Sequence, residues 1–217
     1  MPDLPTPARL ADEPVEVSVL SSEVVYRGNV WNIVKDRFQL GDDQISREYM
    51  SHTGAVAILA LDERERVLLI KQYRHPIRMR EWELPAGLLD IDSESPLLAA
   101  KRELAEEADL VAETWHLLGE FSITAGGSNE VVRIFLARGV SASPEVFART
   151  EEEAGIEVRW VPLDEVLDGV LSRDLQNSIL MVGALMASAS RARGWHTLGV
   201  ADAPWPRHPL QRQGAGD

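Results

Sequence analysis

Apolar and β-branched residues gather into short runs through the first half of the chain, and these runs predict strands. Val15–Val19 and Val24–Arg27 are two such segments, and Asn32–Leu40 with Ile45–Ser51 predict a hairpin around Gly41-Asp42-Asp43. Gly54–Leu61 and Val67–Gln72 are apolar and β-branched, separated by the charged turn Asp62-Glu63-Arg64-Glu65. Later strands are predicted at Trp115–Thr124, Val131–Arg138 and Ile156–Val161. Over Pro96–Ala108 the period changes: Leu97, Ala100, Leu104 and Ala108 fall at spacings of three and four and form the apolar stripe of a helix. Further helices are predicted over Leu163–Val170 and Leu175–Arg193. Ser95 is an N-cap ahead of Pro96 at the first helical position, and Asp174 is placed to cap the last helix. Strands mixed with segregated helices give an α+β sandwich rather than a doubly wound sheet.

The ends differ from this middle. Residues 1–14, rich in proline and charge, predict a loose arm leading into an N-terminal β region over 15–52. Residues 53–198 hold the main domain, and 199–217, with Pro204, Pro206, Pro209, Gly214 and Gly216, predict a disordered tail. The start of the chain is neither basic nor apolar, so no signal peptide is expected. The longest apolar runs, Ala55–Leu61 and Ile179–Ala187, fall short of the roughly 20 residues a membrane span needs. A cytoplasmic protein without a membrane partner is therefore expected.

Composition narrows the chemistry. At 217 residues the chain can bury a sizeable core unaided, and its 45% hydrophobic and 26% charged residues are ordinary for a globular protein. The charge is not ordinary: 35 acidic against 22 basic residues leave −13, which disfavours nucleic acid and anionic membranes as partners. The absence of cysteine removes disulfides, thiolate metal sites and thiol nucleophiles. Catalysis would rest on carboxylates, histidines, hydroxyls, lysine or a bound ion.

One helix breaks a local rule. Glu103, Glu106 and Glu107 sit at i, i+3 and i+4 near the C-terminal end of the predicted helix. Like charges at that spacing repel by roughly 0.2–0.5 kcal/mol per pair, and the helix dipole disfavours anions there. Arg102 can relieve Glu106 at i+4 but leaves Glu103 and Glu107 facing each other. Either the face is simply solvated, or the carboxylates converge on a hard cation; an oxygen-only donor set points to Mg²⁺ or Mn²⁺ rather than zinc. A second signal is Lys71-Gln-Tyr-Arg74-His-Pro-Ile-Arg78-Met-Arg80, four cations in ten residues of an acidic protein. It is either a solvated surface or a guanidinium clamp for phosphate.

The segment Glu83-Leu84-Pro85-Ala86-Gly87, then Glu94, then Arg102-Glu103-Leu104-Ala105-Glu106-Glu107-Ala108-Asp109-Leu110 resembles the Nudix box. That pattern is Gly, five residues, Glu, seven residues, then Arg-Glu-apolar-x-Glu-Glu-x-Gly-apolar. Two departures stand out: six residues separate Gly87 from Glu94, and Asp109 replaces the glycine at the helix end.

The resemblance implies an α/β/α sandwich around a mixed sheet, and metal-dependent cleavage of a nucleoside diphosphate linked to another group. It implies Glu103 and Glu107 as the main ligands of Mg²⁺ (or Mn²⁺), with Glu106 and the Ala86 carbonyl beside them and Arg102 orienting the glutamates. The general base is implied to lie on the loop before a late strand, as Glu152 or Glu153. Gln72-Tyr73-Arg74 ahead of the box looks like the ADP-ribose branch of the family, with Arg74 a substrate contact, Arg47, Glu83 and Glu130 weaker candidates, and Trp31 a shelf for adenine. That branch implies AMP and ribose 5-phosphate as products, and a homodimer with exchanged N-terminal β regions. One marker differs: Thr124-Ala125-Gly126-Gly127 has glycine where the branch often has proline. The alternatives are another nucleoside-diphosphate sugar such as GDP-mannose, a non-catalytic nucleotide-binding Nudix domain, and a plain acidic binding module. All box glutamates are present, which favours the enzyme.

Overall fold

Residues 10–145, 147 and 155–208 are described by the computed structural model of the chain. β1 (Ser18–Arg27), β2 (Asn32–Leu40) and β3 (Asp43–Ser51) form an antiparallel N-terminal sheet. The β2–β3 hairpin closes on the pair Leu40–Asp43, with Gly41 at a φ of 60° that favours glycine. A second sheet joins β10 (Glu157–Pro162), β5 (Arg66–Arg74) and β6 (Met79–Glu83), all antiparallel. The third runs β11 (Gly199–Val200), β8 (Leu110–Ser122), β9 (Val131–Ala142), β4 (Ala55–Ala60) and β7 (Ala86–Leu88). Its β4–β9 pair is parallel and its other pairs antiparallel, so the sheet is mixed.

Strand alternation places the core. Every residue of β4 is buried, and successive side chains serve opposite layers. Ala57 and Leu59 join Leu69, Ile134, Leu180 and Ala184 beneath α2 (Leu163–Ser172) and α3 (Ser178–Arg191). Val56, Ile58 and Ala60 join Phe135, Ala100 and Leu104 beneath α1 (Pro96–Ala108). Burying each large aliphatic side chain contributes about 1.5–3 kcal/mol, so β4 and β9 tie both helical layers to one sheet. The result is the expected α/β/α sandwich around a mixed sheet.

The structure corrects several expected elements. The two strands expected at Val15–Val19 and Val24–Arg27 are one strand, β1, because backbone pairing with β2 continues through the polar Ser21-Ser22-Glu23 with register shifts on either side. β8 starts at Leu110 rather than Trp115, directly after the cap of α1. The last helix starts at Ser178, not Leu175, and its cap is Asn177, which accepts from the Leu180 N–H at 3.1 Å. Asp174 and Leu175 instead finish α2: Arg173 is left-handed, and both the Asp174 and Leu175 N–H groups donate to the Gly169 carbonyl. The apolar Leu175 is used in that C-terminal closure rather than in a helix face.

The tail expected over 199–217 is corrected for residues 199–208. Gly199–Val200 pairs with β8, and Trp205 is 1% exposed. Residues 1–9 and 209–217 lie outside the described residues.

Candidate active site

α1 is built as its sequence requires. Ser95 Oγ accepts from the Leu98 N–H at 3.3 Å, Pro96 opens the helix, and Ala99, Ala100, Leu104 and Ala108 face the core. Asp109 takes the left-handed cap, with φ 53° and ψ 38°, and donates its N–H to the Ala105 carbonyl at 3.0 Å. It does what glycine does at this point, and an L-residue there costs roughly 1 kcal/mol. The preceding loop turns through Ser93 at φ 68° and a bond from the Glu94 N–H to the Ile91 carbonyl. Its longer spacing leaves the Glu94–Arg102 contact in place: Arg102 forks onto Glu94 at 3.1 and 3.0 Å.

The same guanidinium donates to Glu103 at 2.6 Å and to Glu106 at 2.9 Å. It therefore relieves Glu103 as well as Glu106, more than helix spacing alone suggests. The hydrogen bonds to Glu94 do most to hold the guanidinium proton above its ordinary range; burial opposes them, and Glu103 and Glu106 add to them. One positive charge serves three carboxylates, so the cluster keeps a strong negative field. Glu107, 5% exposed, accepts from the Ala86 N–H at 2.9 Å across to β7. Gly87 completes the arrangement, since a Cβ there would overlap the Glu103 carboxylate. Glu107 and Glu103 thus rest on Ala86 and Gly87 of β7, and Arg102 holds Glu106 on the same helix beside them. Among the described residues no three His, Asp or Glu side chains form a ready cation cage; the box carboxylates are engaged with Arg102 and the Ala86 N–H.

The basic segment over 71–80 is the β5–β6 hairpin, and alternation divides its cations. Lys71 and Arg80 lie on the face of Trp82, with Lys71 Nζ 5.1 Å from the indole centroid and Arg80 donating to the Gly155 carbonyl at 3.1 Å. Arg74 lies on the other face and forks onto Glu83 at 2.9 and 2.6 Å, with Gln72 at 3.4 Å from the same carboxylate. Arg74 and Glu83, two predicted site residues, are therefore one unit: the buried carboxylate fixes a half-exposed guanidinium.

Two further candidates, Trp31 and Glu130, both lie beside His52. Trp31 is 42% exposed, and its ring lies 6.1 Å from that of His52 at 30°. His52 Nδ1 accepts from the Gly54 N–H at 3.0 Å, which leaves the proton on Nε2, 3.8 Å from Glu130. The Asn129 side chain and the His52 N–H bond at 2.8 Å, so the end of β3 is tied to the loop ahead of β9. Arg47 is not joined to this group: exposed on β3, it donates to the Ser46 carbonyl at 2.8 Å. Glu152 and Glu153 lie outside the described residues.

The NUDIX domain profile matches residues 50–179, more than half of the chain. The chain belongs to the Nudix family. It is 38% identical over 177 residues to an ADP-ribose pyrophosphatase of Mycobacterium tuberculosis, covering 80% of this chain and 84% of the relative. An ADP-ribose pyrophosphatase of Bacillus subtilis is 32% identical over 165 residues, with 76% and 88% covered. A crystal structure of an ADP compounds hydrolase superimposes with a TM-score of 0.69 at 19% identity, covering 85% of this chain and 99% of that one, which shows the shared fold.

Nudix hydrolases generally use divalent metal ions, and the Nudix box of this chain has a donor set that fits one. It offers carboxylate oxygens without histidine or cysteine, and a glycine that leaves room for Glu103. Sequence reasoning missed His52, and it took Arg80 only as one of four cations of a phosphate clamp, not as a partner of the Gly155 carbonyl. A lone histidine ahead of a strand carries no spacing signal, and the Arg80 partner is a backbone carbonyl 75 residues away.

Proposed function

We propose that this Nudix hydrolase cleaves the pyrophosphate of ADP-ribose to AMP and ribose 5-phosphate with Mg²⁺ or Mn²⁺. The observation that carries the reading is the full set of box carboxylates on one helix, with Glu103 and Glu107 against Ala86 and Gly87 of β7 and Glu106 held beside them by Arg102. The similarity to two ADP-ribose pyrophosphatases supports the choice of substrate.

Glu103, Glu106, Glu107 and the Ala86 carbonyl would hold the ion, which supplies charge neutralisation at the diphosphate and a more acidic water. Arg102 positions Glu103 and Glu106 and keeps the carboxylates together between turnovers. Arg74, oriented by Glu83, is placed to contact substrate phosphate as a rigid fork. Trp31 has one face on His52 and offers the other to adenine, with Arg47 and Glu130 as weaker substrate contacts. Glu152 or Glu153 would take the proton from the attacking water. Arg80 donates to the Gly155 carbonyl at 3.1 Å, on the strand side of that segment.

A homodimer belongs to the same reading. β1 exposes Val19, Leu20, Val24, Val25 and Tyr26 along one edge of the N-terminal sheet, an apolar patch of the kind that marks an interface.

The test is a panel of diphosphates with Mg²⁺ or Mn²⁺. AMP release from ADP-ribose, lost by about 10²–10³-fold in Glu107→Gln, is the expected result. Cleavage of GDP-mannose with ADP-ribose intact overturns the substrate. Nucleotide binding without any cleavage overturns the enzyme. Sedimentation is expected to show a dimer, and a monomer at micromolar protein would remove the exchanged arrangement.

A further inference from the structure

Gly54, between β3 and β4, is a node where three parts of the chain meet. Its φ is 88°, its N–H donates to His52 Nδ1 at 3.0 Å, and its carbonyl accepts from the Leu89 N–H at 3.1 Å. Leu89 follows Gly87 by two residues, in the loop of the Nudix box. On its third side Gly54 meets His208: a Cβ on Gly54 would lie 2.9 Å from His208 Nε2. The ring therefore packs directly against the glycine Cα.

His208 is brought there by a buried arginine. Arg133, 2% exposed on β9, pairs with Glu120 on β8 and donates to the carbonyls of Ala203 at 2.8 Å and Pro204 at 3.2 Å. Its guanidinium also lies 4.6 Å from the Trp205 ring centroid, and the Trp205 and His208 rings are 4.9 Å apart. A guanidinium so buried is strongly destabilising unless its donors are met. The β9 backbone is already paired with β4 and β8, so the acceptors come from residues 203 and 204. Trp205 also packs in the cluster that contains Leu89, Ala100 and Leu104. This segment is fastened to the sheet and to the box at once.

We propose that residues 203–208 are a positioning strap for the catalytic loop. By seating His208 against Gly54, the strap fixes the carbonyl that holds Leu89, and with it the end of β7, whose Ala86 and Gly87 carry Glu107 and Glu103. His208 acts through Gly54 and touches no reacting group. Its Nε2 has no hydrogen-bond partner among the described residues, and the ring also meets the Thr53 backbone next to Gly54, so the position supplies chiefly ring volume against Gly54. Phenylalanine should serve there and alanine should not. The effect on turnover rests on the diphosphatase reading; the effect on Leu89 does not.

Amide hydrogen exchange on the full, metal-free chain separates the two. In His208→Ala the Leu89 amide is expected to exchange about 10-fold faster, and in His208→Phe at the wild-type rate. With Mg²⁺ and ADP-ribose, His208→Ala is expected to lose about 10-fold in kcat, with KM within about 2-fold, and His208→Phe to restore kcat. Trp205→Phe loosens the strap while keeping a ring in the core, and is expected to shift Leu89 exchange the same way by a smaller factor. Unchanged Leu89 exchange in both His208→Ala and Trp205→Phe overturns the strap, as does a His208→Phe protein that behaves like His208→Ala. Faster Leu89 exchange in a protein whose wild type cleaves no diphosphate upholds the strap and removes the diphosphatase reading.

Discussion

Two arginines, Arg102 in the box and Arg133 under the strap, each fork onto a glutamate, and they are used in opposite ways. Arg102 reaches side chains no more than eight residues away, on its own helix and the loop before it, and stays partly exposed. Arg133 reaches across two strands and then to backbone carbonyls 70 and 71 residues away, and is fully buried. A local, half-solvated guanidinium can change partners when a cation arrives. A buried one whose acceptors are backbone cannot. On the proposed function, Arg102 belongs to the chemistry and Arg133 to the frame that presents it.

Replacing each by methionine tests this division and has the largest expected effect. Arg133→Met leaves Glu120 and two carbonyls without their partner and should cost about 3–5 kcal/mol, lowering the melting temperature by roughly 10 °C. Arg102→Met should cost no more than about 1 kcal/mol, since a partly exposed pair contributes little, yet lower turnover about 10–100-fold. Calorimetry alongside AMP release reads both. Equal losses of stability would erase the distinction.

Gly87→Ala sharpens the box side of the comparison without touching either arginine. The added methyl would collide with the Glu103 carboxylate, a flexible group that can swing away. Stability should therefore change by less than about 1 kcal/mol, while activity falls about 10-fold because a proposed metal ligand is displaced. A variant that keeps full activity would show that Glu103 need not rest on β7.

What could be read from the sequence follows the same line between local and distant. The three glutamates, Arg102, the Ser95 cap and the strand runs of β4, β5 and β9 are set by spacing within one or two turns, and the structure has them. Glu94 was readable too, despite the longer loop, because Ser93 absorbs the extra residue in a left-handed turn. The strap was not readable: prolines and glycines around Trp205 give the composition of a tail, and only a long-range partner, Arg133, makes it ordered. A tryptophan inside such a stretch was the available signal. The cations over 71–80 looked like one cluster in sequence, but a hairpin sends them to two faces. Leu175 misled because an apolar residue closing α2 has the same local pattern as one opening α3.

The helix end offers a smaller test. Asp109 occupies the left-handed cap where the Nudix pattern has glycine, with φ 53°. Asp109→Gly removes the steric cost but loosens the unfolded chain, so a net gain of about 0.5 kcal/mol is expected. That corresponds to roughly 1–2 °C in the melting temperature. Activity should not change, because the cap lies beyond the proposed ligands rather than among them. A loss of stability would mean that the aspartate side chain supplies more at this end than its backbone costs.

The mildest test titrates the strap. Burial, together with the positive charge of Arg133, lowers the affinity of His208 for a proton, with the Thr53 carbonyl working the other way. The unfolded chain binds that proton near the ordinary value of 6.5, more readily than the folded protein does. The sign follows from linkage: the contribution of a neutral His208 is complete above that value and is lost as pH falls through it toward the lower folded value. The melting temperature of the wild type should therefore fall more steeply than that of His208→Phe between about pH 7 and about pH 5. The difference between the two curves isolates this residue from the other histidines. It should also be larger than the corresponding difference for Arg102→Met, because a guanidinium held above its ordinary range does not titrate there. A flat difference curve would place the ring of His208 in water rather than against Gly54, and would return residues 203–208 to the loose tail their composition suggests.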